Sequence, residues 1–292
     1  MIKFKSKKKE IKFNTSKFVV NENVKSKNLN KDIIFDISVT QIKNIDNKKI
    51  IIISSDIIWF SEKLTNEIEQ KINSKFNIPI DNILLSATHT HGSLQTDVEF
   101  KFGQFDNKFN NTIVENIIKI LSELSELAYN KANISLGADT INKISVNRRL
   151  YTYTFKLNEP FKRSQNRPNL NKNITNNLFS LIFKSNEDEI LFVIVIFSCH
   201  PVTDKEHITG KDYPGIIKKK IDEYYGINNC IFLQGFCGDI NPNFIKNNLT
   251  FKELLISYII GPSFRKPTDA EEFSGIENKY KQFFSENPGD GD

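Results

Sequence analysis

The chain has 292 residues, 39% of them hydrophobic and 26% charged, with a formal net charge of +5. That is ordinary globular composition, with enough apolar material for a real core and room for one large domain or two small ones. The basic excess is concentrated in Lys3, Lys5, Lys7, Lys8 and Lys9. With no aromatic interleaving and no nucleic-acid motif beside it, this run reads as a solvated end rather than a nucleic-acid or lipid surface.

Residues 1–31 are polar and rich in Lys and Asn, which predicts an edge strand or a partly loose segment. A domain is expected over 32–285, then a disordered tail over 286–292 that ends Gly-Asp-Gly-Asp. Asp32–Ile42 reads as a strand, and Lys49–Ser55, nearly all β-branched, reads as a central strand covered on both faces. Glu62–Phe76 places Leu64, Ile68, Ile72 and Phe76 on one helical stripe. Asn82–Ala87 is a short apolar strand. Asn110–Ala128 is a helix with Ile113, Ile117, Ile120, Leu121 and Leu124 on one face.

Ala132–Ala138, Leu178–Phe183 and Ile190–Phe197 read as strands, Pro214–Tyr225 as a helix and Cys230–Leu233 as a strand. The polar stretch 150–178, with Pro160 and Pro168, reads as a long loop bordering a site. Strands alternating with helices predict an α/β layered fold, a largely buried mixed β-sheet flanked by helices.

Cys199, Cys230 and Cys237 form neither a CxxC nor an even framework, so they are expected to be reduced, and the chain cytoplasmic. Cys199 and Cys237 lie inside motifs and are either a ligand, a nucleophile or buried filler. No apolar h-region or bilayer-length apolar run occurs.

The whole chain holds four histidines, His89, His91, His200 and His207, in two short segments that each follow an apolar strand. Ligands in α/β sheets bind at the carboxyl ends of strands. On extended backbone, His89 and His91 point to one side, so both bind a metal, or one binds it while the other faces substrate. His200 closes the run Ile190–Phe197 and is the partner expected for His89. His207 reads as a surface residue.

Asp212 precedes the turn containing Pro214, which suits a helix N-cap. Asp56, at the end of Lys49–Ser55, is either a ligand, a partner of one, or a local cap. Asn147-Arg148-Arg149 offers guanidinium groups suited to a carboxylate or an oxyanion. Gln234–Pro242 holds Gly235 and Gly238, which permit close backbone approach.

Taken in order, these segments resemble the N-terminal domain of neutral/alkaline ceramidases: Ile51–Asp56, Ser86–His91, Asn147–Arg149, Ser198–Pro201, Asp212–Gly215 and Gln234–Pro242. The resemblance covers about residues 32–245. It implies an α/β zinc hydrolase that cleaves an amide (N-acyl) bond in a small-molecule or lipid-like substrate. It assigns zinc to His89 and His200, lines the site with His91, and places Arg148, with Arg149 beside it, against substrate. The family's serine nucleophile falls on Asn241, so metal-activated water is expected in its place, with His91 or Asp56 handling the proton. Asp212 or Asp239 would accept from a ligand histidine.

No counterpart of the family's late Glu and Tyr ligands is recognised in the 50 residues after Pro242. A second chain completing the site, a non-catalytic scaffold and an enzyme modifying a peptide or small amide are the alternatives. No nucleic-acid partner and no transmembrane segment are expected.

Overall fold

The computed structural model describes residues 1–14, 32–97, 105–156, 159–203, 210–245, 250–252, 254, 257 and 262–264. They fall into two compact units. One comprises Met1–Gly137, Phe179–Ile196 and Asp204–Gln234; the other comprises Ala138–Leu178, Phe197–Thr203 and Gly235–Asp292.

The first unit is built on an eight-stranded sheet. Its strands are β1 (Ile2–Asn14), β2 (Asp32–Lys43), β3 (Lys49–Ser55), β4 (Ile83–Ala87), β5 (Asn130–Thr140), β8 (Asn177–Lys184), β9 (Ile190–Phe197) and β10 (Ile231–Gln234), in the order β10-β9-β8-β5-β1-β2-β3-β4. β1 pairs antiparallel with β2 and β5, β2 antiparallel with β3, and β3 parallel with β4, so the sheet is mixed.

Its first and last strands also approach each other. β10 lies against β3 and β4, and Ser54 Oγ donates to Phe232 O at 2.7 Å. One face, with Phe13, Phe35, Ile37, Ile51 and Ile53, packs against the helix stripes Leu64–Ile68–Ile72 and Phe109–Ile113–Ile117–Ile120. The other face gathers Phe4, Phe183, Phe192, Ile194 and Ile231 into a second cluster. Burying each such side chain stabilises by about 1.5–3 kcal/mol.

Helix α1 (Glu62–Phe76) matches the expected span. Ser61 Oγ caps it by accepting from Leu64 N, and Asn77 ends it in the left-handed region at φ 52°. α2 (Asn107–Ser125) starts on Asp106, whose carboxylate accepts from Lys108 N. α3 (Asp212–Tyr225) ends on Gly226 at φ 65°.

β1 departs from expectation, because it lies inside the sheet between β5 and β2 rather than at an edge. Its lysines are used internally: Lys7 pairs with Glu123, Lys8 with Asp222 and Lys12 with Asp32, while Lys5 donates to Leu127 O at 3.2 Å, just past the end of α2. A polar strand is tolerated here because acceptors from other elements meet these four ammonium groups. The expected boundary after residue 31 falls on residues outside the description, as does the tail over 286–292.

The second unit holds a three-stranded sheet, in the order β11-β6-β7, from β6 (Ser145–Lys156), β7 (Glu159–Asn169) and β11 (Ile240–Pro242). The stretch from 150 is therefore largely a hairpin, not a long loop. The two prolines argued against a strand, but β7 has a neighbour on one side only in this sheet, and an edge strand is where proline is tolerated. Among the described residues no helix is long and apolar enough to cross a membrane.

Candidate active site

In the first unit, β3 and β4 run parallel and end side by side, which brings residues 55–58 against Thr88-His89. Thr88 N donates to Ser55 O at 2.9 Å and His89 N to Ile57 O at 3.1 Å. His89 has φ 64°, in the left-handed region, a conformation that L residues hold only when neighbouring contacts impose it. Its Nδ1 donates to Ile58 O at 2.7 Å, which fixes both the ring and the position of its proton. That backbone turn breaks the alternation expected of an extended HxH segment. The rings of His89 and His91 stand edge to face, 5.3 Å apart at 84°, instead of side by side.

Asp56 is fully buried and serves as an anchor, not as the proton-handling group expected from sequence. Lys218 Nζ donates to its Oδ1 at 2.8 Å and its Oδ2 at 2.7 Å, and Asp36 N donates to Oδ2 at 3.0 Å. Asp212 is the first residue of α3 rather than its N-cap, which is Lys211. At φ 49° its Oδ1 accepts from Tyr213 N at 2.6 Å. His207 lies outside the described residues.

In the second unit, His200 is buried. Its N–H donates to Ile240 O at 3.0 Å, and its Nδ1 donates to Cys237 O at 3.0 Å. Both expected ligand histidines therefore have Nδ1 held by a main-chain carbonyl. Asp239, expected as a carboxylate acceptor for one of them, instead accepts from Asn147 Nδ2 at 2.8 Å and Lys172 Nζ at 3.4 Å.

The sequence reading did not anticipate a carbonyl in that role, because every residue carries one. It also missed Lys218, which sits in a Lys218-Lys219-Lys220 run that reads as solvated. The available signal was helical spacing, since Lys218 falls on the stripe of Pro214, Ile217 and Ile221.

Asn147-Arg148-Arg149 is clasped by the Gln234–Pro242 segment. β6 carries a register irregularity between Asn147 and Arg149, and the extra residue in such a bulge is re-aimed away from the ladder. Arg148 N donates to Asp239 O at 2.7 Å. Its guanidinium reaches Gly238 O from Nε at 3.1 Å and from Nη2 at 2.9 Å, and Asn241 Oδ1 from Nη1 at 3.2 Å. Arg149 Nη2 is 3.5 Å from the same Gly238 carbonyl.

Burial, then the charge of Arg149, holds the Arg148 guanidinium below the ordinary arginine value, opposed by Cys237 and Asp239. Burial also pushes the Cys237 thiol up, with Arg148 pulling the other way. Of the two loop glycines, Gly235 is the close approach, since a Cβ there would meet Ser198 Oγ, whereas a Cβ at Gly238 would meet nothing within 4 Å. None of the three cysteines is in a disulfide, and all three are buried.

The sequence profile described as neutral/alkaline non-lysosomal ceramidase, N-terminal, matches residues 38–248. Among solved structures, one described as a ceramidase complexed with C2 superposes with a TM-score of 0.70 at 15% identity, over 97% of this chain and 43% of that one. The neutral ceramidase from Pseudomonas aeruginosa gives 0.69 at 15% identity, over 97% and 44%. At that identity the likeness shows the fold, and the chain spans less than half the length of either structure.

Proposed function

We propose, from the premise that the chain belongs to the neutral/alkaline non-lysosomal ceramidase family, that it is a zinc-dependent hydrolase of an N-acyl amide. In this reading His89 and His200, the pair the family resemblance assigns, hold one ion, and Cys237, whose carbonyl seats the His200 ring, is the third donor proposed. The observation that carries it is the shared seating of the two histidines. Nδ1 of each donates to a main-chain carbonyl, Ile58 O or Cys237 O. That is how a protein orients an imidazole to present Nε2 to a metal. Imidazole with a thiolate is a donor set zinc favours, and loading would release the Cys237 proton that burial retains.

When bound, the ion would polarise the amide carbonyl and acidify a water. The protein's own groups account for the rest. Arg148 uses three of its five N–H groups on Gly238 O and Asn241 Oδ1, and the other two are proposed to meet the developing oxyanion. Arg149, fixed through its own N–H to Asn147 Oδ1 at 2.8 Å, would add charge for an acidic part of the substrate. His91, against the His89 ring, would move the proton. Asn241, held as an acceptor by Arg148, is not the nucleophile.

The test is metal analysis of the purified protein beside His89→Ala and His200→Ala, together with turnover of a panel of N-acyl amides. Near one equivalent of zinc in the parent and loss of it in both variants is expected. Full retention in both variants would end this reading. One equivalent of zinc with no turnover of any amide would favour a binding role over an enzyme.

A further inference from the structure

We infer that Lys218 is a positioning residue for His89, acting through Asp56 and the turn over 55–58. The inference rests on the metal reading above for its consequence, but not for its geometry. Three links make the chain of contacts. Lys218 Nζ grips both oxygens of Asp56 at 2.8 and 2.7 Å and reaches Asp36 Oδ2 at 3.1 Å. Asp56 and Asp36 are cross-linked, Asp56 N donating to Asp36 O at 3.0 Å and Asp36 N to Asp56 Oδ2 at 3.0 Å. The residues beside Asp56 then hold the histidine segment: Ser55 O takes Thr88 N, Ile57 O takes His89 N, and Ile58 O takes His89 Nδ1.

Lys211, two turns earlier on the same side of α3, adds Asp36 Oδ1 at 2.8 Å and Glu10 Oε2 at 2.6 Å. The network thus brings two lysines of the α3 segment against carboxylates on β1, β2 and the end of β3. Hydrogen bonds of this kind are short-ranged and directional, so a shift of a few tenths of an ångström at Asp56 passes to the three carbonyls beside it. A buried lysine between two carboxylates is a costly way to hold a fold, since a hydrophobic pair of equal volume would serve at least as well. Its position under the His89 turn supplies a reason for keeping it. The left-handed backbone at His89 needs such a support, because it is not the conformation the residue adopts unaided.

The experiment reads the His89 ring with no metal present. In metal-free protein with ¹⁵N-labelled histidine, His89, assigned by its absence in His89→Ala, is expected as the Nδ1–H form. Lys218→Met should lose that signature. Lys8→Met, which removes the Lys8–Asp222 pair at the other end of α3, should keep it while losing comparable thermal stability. A His89 ring unchanged in Lys218→Met overturns the inference.

Should Lys218→Met fail to fold, Asp56→Leu with Lys218→Met keeps the volume apolar. The same loss of signature supports the inference and retention overturns it. Zinc titration of the same variants is expected to show roughly tenfold or greater weakening for Lys218→Met, the range for groups that orient a ligand. If the ring signature is lost but the parent binds no zinc, the metal reading fails and the positioning role stands.

Discussion

The Lys218 ammonium and the Asp56 carboxylate make a two-pronged contact, at 2.8 and 2.7 Å, with both side chains out of solvent. Burial alone would lower the Lys218 ammonium, but Asp56 and Asp36 outweigh it and hold the group above the ordinary lysine value. Removing one partner strands the other charge. Lys218→Met alone is expected to cost about 3–5 kcal/mol, and the double replacement with Asp56→Leu much less. Urea unfolding of the singles and the double measures both, and a single-variant loss under about 1 kcal/mol would refute the assignment.

Acid should act through Asp36. Burial pushes its carboxyl up, but Lys218 and Lys211 pull harder, so the folded value lies below 3.8. A depressed folded value contributes stability that is present above the unfolded value and is lost as pH falls through the folded one. The urea midpoint should therefore drop below about pH 4. Asp36→Asn should flatten this acid limb while leaving the slope between pH 6 and 8 unchanged. An acid limb identical in the variant would remove Asp36 as its source.

Arg148→Lys keeps the charge but cannot span Gly238 O and Asn241 Oδ1 with one planar fork. On whichever amide the parent turns over, kcat is expected to fall about 10²–10³-fold, the scale for losing an oxyanion donor. The circular dichroism spectrum should be unchanged. A kcat within threefold of the parent would show that the fork does not face the reacting carbonyl.

Gly210 and Gly238 should respond oppositely to alanine. Gly210 has φ 103°, and a Cβ there would press on the Ile34 carbonyl. Gly210→Ala should cost well over 1 kcal/mol, with the shift felt at neighbouring Lys211. Gly238 faces open space, so Gly238→Ala should lie within about 0.5 kcal/mol of the parent by thermal unfolding.

Several elements were legible because their signals are local. The α1 stripe depends on spacing alone and is found over the expected residues, and the β-branched runs of β3 and β9 announce buried strands wherever the chain takes them. β1 was misread because six of its side chains are lysines, and polarity predicts exposure until acceptors arrive from elsewhere. β7 was missed because Pro160 and Pro168 argue against a central strand and say nothing about an edge. Asp56 illustrates the same limit at the site. A carboxylate at a strand end looks equally like a base, a ligand or an anchor until Lys218 is found upon it.

Sequence by itself determined the class of fold and the family, because periodicity, residue type and motif order are properties of the chain read in one dimension. Only tertiary structure decided what each polar group does. It set the left-handed turn at His89, the carbonyls that seat both imidazoles and the burial of Lys218 under Asp56. The energy of a charge or a hydrogen bond depends on what stands within about 3 Å of it and on how much water is excluded there, and neither is written in the order of residues.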